Sequence, residues 1–142
     1  MISWLRKLTQ QPEVAQPFSG VKAIQAHLDY RSQLEDYVFG KSTEALKLPK
    51  NCCHGECMLG KWLHSEGGKH CKDIGLLDSL SMSCEEFHEA AAQAVLLADM
   101  GETEQAIAAL QDGQKYADAS EKFQEHLATL HISYMQPNNI FA

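Results

Sequence analysis

Cys84 and His88 stand four residues apart, a spacing that on a helix puts both side chains on one face, within reach of a single ion. Cys57, in the stretch Cys57-Met58-Leu59-Gly60-Lys61-Trp62-Leu63, offers a second sulfur, and His27, thirty residues earlier, a second imidazole. Thiolate sulfur and imidazole nitrogen are together the ligands of tetrahedral Zn2+. Two of each make a closed set with no position for an activated water, so hydrolysis by zinc hydroxide is not what such a site favours. Cys52 and Cys53 lie just upstream of Cys57 on a Gly-containing loop. Either is a candidate resolving thiol: a sulfenic acid formed at Cys57 would condense with it to a disulfide, and the ion would be lost.

Helical elements have to carry these groups. Ile24, His27, Leu34 and Val38 fall on one helical stripe, so the His27 imidazole faces inward from a first helix running from Val21 to about Phe39, with Gly40 placed to stop it. The pattern then breaks and Pro49 interrupts it. A short helix is predicted from Cys57 to about Glu66, ended by Gly67-Gly68 and anchored in the core by Trp62. Leu77, Leu80, Cys84, Phe87, Ala91 and Val95 recur at helical spacing, which predicts a helix over 76–100 ended by Gly101. Thr103 is placed to cap a last helix in which Ile107, Leu110, Phe123, Leu127, Leu130 and Tyr134 mark the buried side before Pro137, with Gly113 its weak point. No alternating β-branched run or flanked hairpin dipeptide predicts a strand. The expected fold is all-α, an antiparallel four-helix bundle with a short additional helix and an irregular N-terminal arm. Residues 1–16 form the arm, 17–136 the zinc-binding bundle and 137–142 a C-terminal tail.

Composition narrows the function classes. A chain of 142 residues has room for one domain and its core, not for a catalytic output domain as well. A net charge of -7 and a pI near 5.4 disfavour nucleic acid, which needs clustered Lys and Arg. No apolar run has signal-peptide or spanning length, so the expected location is the cytoplasm. Five cysteines without a secretion signal read as reduced thiols for metal or redox chemistry rather than a disulfide framework.

In these residues the sequence resembles the chemoreceptor zinc-binding family, small helical domains attached to bacterial chemoreceptors and diguanylate cyclases and sometimes standing alone. That family has a His on its first helix, a Cys-x-Leu-Gly-x-Trp segment and a closing pair of His four apart. His27, Cys57 in Cys-Met-Leu-Gly-Lys-Trp, and His88 match; Cys84 stands where the family usually has the first His of the pair. The resemblance spans roughly residues 20 to 135. It implies Zn2+ held by His27, Cys57, Cys84 and His88, a homodimer or a chemoreceptor, diguanylate cyclase or other signalling protein as partner, and a response to zinc or to oxidants of the hypochlorous acid type.

The expected function is therefore a non-enzymatic sensory or regulatory module that signals through homodimerisation or a partner protein. A structural zinc scaffold is the alternative, and it differs in holding its ion against weak chelators and mild oxidant. A thiol peroxidase using Cys57 would turn over peroxide, and a hemerythrin-like di-iron protein needs more inward His and carboxylate ligands than this pattern shows. His126 and His131 lack a partner at metal-site spacing and are read as surface or hydrogen-bonded core residues. Glu85, Glu86 and Glu89 are read as a solvated face, and Cys71, His54, His64 and His70 as loop or surface groups.

Overall fold

The computed structural model describes residues 19–42, Trp62 and residues 73–134. Four helices lie in these stretches: α1 (Gly20–Val38), α2 (Ile74–Asp99), α3 (Thr103–Ala109) and α4 (Lys115–Tyr134). No strand occurs among the described residues, and the chain is an all-α helical bundle. The N-terminal arm, the C-terminal tail and the helix expected over 57–66 lie outside the described residues, apart from Trp62, which is helical.

Helix boundaries follow local chemistry. Ser19 caps α1 by accepting a hydrogen bond from the Lys22 amide at 3.3 Å, and Asp73 caps α2 by accepting one from the Leu76 amide at 3.0 Å. Gly40 and Gly101 take φ of +77° and +81° just past the ends of α1 and α2, the left-handed conformation that glycine supplies without a Cβ penalty.

The last helix departs from expectation. The apolar spacing predicts one helix from Thr103 to Pro137, but the chain makes two, with Thr103 the first helical residue and Glu102 at the cap. The break falls between Leu110 and Lys115, where Gly113 adopts φ of +86°. Asp112-Gly113 thus turns the chain instead of continuing the helix. The apolar rhythm holds on both sides of that turn, with Ala106 and Leu110 buried before it and Tyr116, Ala119, Phe123, Leu127 and Leu130 after it.

The core has two apolar clusters. One joins Ala23, Leu76, Leu80, Cys84, Phe123, Leu127 and Leu130, with Trp62 packed against it; the other joins Leu34, Val38, Phe87, Ala91, Val95, Leu110, Tyr116 and neighbours. Leu34, Leu80, Leu127 and Leu130 are wholly buried, each worth about 1.5–3 kcal/mol relative to exposure. Helix α2 packs more closely on α4 than on α1. Tyr37 of α1 donates a hydrogen bond to Asp99 of α2 near the ends of both helices.

Candidate metal centre

His27 lies at the junction of the two clusters. Its ring packs on Phe87 of one (centroids 4.4 Å apart) and on Phe123 of the other (4.9 Å). Only 6% of the residue is exposed. Burial, then the charge of Arg31 and a proton on His88, push its pKa down to about 4, so the imidazole is neutral at pH 7, the form that binds metal. Its Nε2 stands 2.7 Å from the Ser120 hydroxyl of α4.

On the facing helix, Cys84 is fully buried and its Sγ stands 3.8 Å from Nδ1 of His88. The same Nδ1 lies 2.9 Å from the Cys84 carbonyl oxygen. A carbonyl only accepts, so Nδ1 of His88 carries the ring proton and Nε2 keeps the lone pair. One nitrogen bonded to backbone and the other open is how metal-ligating imidazoles are usually held. Burial lowers the His88 pKa against the opposing effect of that bond to the backbone. Phe87 and Tyr30 flank the His88 ring at 5.2 and 5.3 Å. The Tyr30 hydroxyl is buried without a hydrogen-bond partner among the described residues.

The chemistry of this donor set suits a soft divalent ion: two imidazoles held neutral, a buried sulfur, and an orphaned hydroxyl beside them. The spacing does not close, however. Among the described residues no three His, Cys, Asp or Glu side chains are gathered closely enough to hold an ion. His27 is turned to Ser120, and Cys57, Cys52 and Cys53 lie outside the described residues, as do Cys71, His54, His64 and His70.

Residues 27–95 match the family model of the chemoreceptor zinc-binding domain. They are a chemoreceptor zinc-binding domain. The match opens on His27 and encloses Cys57, Cys84 and His88. No curated protein and no solved structure matches the chain. The chemoreceptor zinc-binding match ends within α2, so α3 and α4, and with them Ser120, lie beyond it.

The two other described histidines have other work. His131 Nδ1 accepts a hydrogen bond from the Gly20 amide at 3.2 Å, closing the start of α1 onto α4, and His126 Nδ1 stands 3.3 Å from the Ser83 hydroxyl. Glu85, Glu86 and Glu89 are exposed, and the His88 proton goes to backbone instead of to one of them. Sequence reasoning missed Ser120, which meets Nε2 of His27, and Arg31 and Gln124, which donate to the Ser120 hydroxyl. A signal was present: Ser120 interrupts the buried stripe Tyr116, Ala119, Phe123 and Leu127, and a lone hydroxyl on such a stripe needs a buried partner.

Among the described residues no helix is long and apolar enough to cross a membrane.

Proposed function

We propose that this chain is a cytoplasmic zinc-binding sensory domain without catalytic turnover, in which His27, Cys57, Cys84 and His88 hold one Zn2+. The observation that supports this most directly is the placement of the donors. His27 of α1 and the Cys84–His88 pair of α2 flank the same Phe87 ring, within the stretch that matches the chemoreceptor zinc-binding domain. A bound ion would tie α1 to α2, and tight zinc sites, at about 10–16 kcal/mol apparent, exceed the roughly 5.5 kcal/mol needed to move a two-state equilibrium from 1:99 to 99:1.

The chain's own residues supply the response. Neutral His27 and His88 each keep one lone pair, so neither has to be deprotonated from an imidazolium before an ion can bind. Cys57 as a thiolate is the nucleophile toward an oxidant. Hypochlorous acid or peroxide would take two electrons from its sulfur to give a sulfenic acid, itself reduced to chloride or water. The thiol of Cys52 or Cys53 would then displace water and form a disulfide. With one ligand withdrawn, α1 and α2 would repack, and the change would pass to a second copy of the chain or to a partner such as a chemoreceptor or diguanylate cyclase.

Zinc content, helicity and hydrogen exchange before and after stoichiometric oxidant, in wild type and Cys57→Ser, test the reading. One zinc per chain, released with faster exchange in α1 by wild type only, is expected. Zinc retained by wild type through the oxidant with unchanged exchange would favour a structural scaffold, and repeated turnover of peroxide with a thiol reductant would make the protein an enzyme.

A further inference from the structure

We propose that Ser120 is the positioning residue of this metal centre: it holds Nε2 of His27 and leaves Nδ1 as the nitrogen that meets the ion. The inference rests on the zinc-ligand reading above and extends it by naming the ligand atom and the group that fixes it.

Ser120 is fully buried on α4. Its Oγ has three polar neighbours: His27 Nε2 at 2.7 Å, Arg31 Nη1 at 3.0 Å and Gln124 Nε2 at 3.1 Å. A serine hydroxyl has one proton to give and two lone pairs to offer. Arg31 can only donate, and Gln124 donates through its amino group, so both lone pairs are taken. The Ser120 proton is then directed to His27 Nε2, and the neutral ring carries its own proton at Nδ1.

A second arrangement keeps every one of these contacts. The two ends of a glutamine amide occupy nearly the same space, so a half-turn of Gln124 presents its oxygen to Ser120. The hydroxyl proton then goes to Gln124, and the Ser120 lone pairs accept Arg31 and a proton now carried on His27 Nε2. The ring stays neutral, with one proton moved from Nδ1 to Nε2, and the Nδ1 lone pair is released. Arg31 cannot make the equivalent adjustment, because a guanidinium has no acceptor; its other nitrogen is bonded to Glu35 at 2.9 Å and the group lies over the Tyr116 ring. Gln124 is half-buried and lines the open groove between α1 and α4, where its amide has room to turn. Nε2 is committed to Ser120 in both arrangements. Using it as the ligand would break the 2.7 Å contact with a buried hydroxyl, whereas Nδ1 costs no contact.

Two measurements on the full chain decide this. In ¹⁵N-histidine protein loaded with ¹¹³Cd, the His27 resonances, assigned by their loss in His27→Gln, should show one-bond coupling to cadmium at Nδ1 and a proton at Nε2. Coupling at Nε2 would overturn the proposal. In zinc competition against a chromophoric chelator, Ser120→Ala should bind about 10–100-fold more weakly, the usual effect of removing a group that orients a ligand, and Ser120→Thr, which restores the hydroxyl, should recover most of that loss. A normally helical Ser120→Ala with wild-type affinity would overturn the proposal; if that variant does not fold, the coupling in the wild-type protein decides alone. His27→Ala separates the two levels. Weak binding by His27→Ala beside unaltered Ser120→Ala refutes the positioning role only, while wild-type affinity in His27→Ala refutes the ligand reading and this proposal with it.

Discussion

Lowering the pH should destabilise the metal-free protein through His27, and the size of the effect can be worked out. The imidazole has an ordinary pKa of 6.5 in the unfolded chain and about 4 in the fold, chiefly from burial between Phe87 and Phe123. The unfolded state therefore binds more protons anywhere between these values, and stability rises with pH across that window. The contribution is fully present above pH 6.5 and is withdrawn as the pH falls toward 4. By pH 5 the unfolded chain has gained about 2 kcal/mol relative to the fold at pH 7.5, from the two binding polynomials. At a urea slope of about 2 kcal/mol/M, this moves the unfolding midpoint by roughly 1 M. The assay is a set of urea titrations in chelator at pH 7.5, 6.5, 5.5 and 5, for wild type and His27→Gln. His88 is also held below its ordinary pKa and adds to the slope in both proteins, so the difference between them isolates His27. Equal pH slopes in the two proteins would refute the account of His27 as a ring buried neutral at the seam of the core.

Other consequences are local. Gly20→Ala would drive a Cβ into the Cβ and ring of His131 and break the seat that His131 offers the Gly20 amide; thermal or urea unfolding should show a loss of about 1–3 kcal/mol. Gly113→Ala meets no atom within 4 Å, so only its φ of +86° opposes the change; about 1–2 kcal/mol should be lost, and less in Gly113→Asn. Phe87→Ala removes a fully buried ring that touches His27, Tyr30, His88 and Tyr116, and should cost about 3–5 kcal/mol of unfolding free energy.

The helices were legible because their burial is periodic. Leu80, Cys84, Phe87, Ala91 and Val95 recur at helical spacing and are all buried in α2, and Gly40 and Gly101 end helices as their position in the pattern indicates. The break at Gly113 was misread for a physical reason. Residues before and after a tight turn can both face one core, so apolar spacing continues across it, and only the backbone angle of the glycine marks the discontinuity. Cys84 and His88 were legible as a pair because i,i+4 spacing fixes contact within one helix. The partner of His27 was not, because Ser120 lies ninety-three positions away and only the crossing of α1 over α4 brings them together. Trp62, expected in the core, is half-buried against the Leu80 and Leu127 cluster.

The placement of His27 also bears on what zinc would do for the fold. The α2–α4 seam is filled by Leu76, Leu80, Cys84, Phe123, Leu127 and Leu130 and needs no ion to hold it. Helix α1 is joined to α4 partly by polar contacts, from His27 and Arg31 to Ser120, from Gly20 to His131 and from Tyr116 to Glu35. It meets α2 less closely than α4 does. An ion shared between His27 and the Cys84–His88 pair would act on that less intimate seam. Its loss would then leave the α2–α4 pair and the contact of His27 with Ser120 intact, so that the response is a shift of one helix against a standing core and not an unfolding.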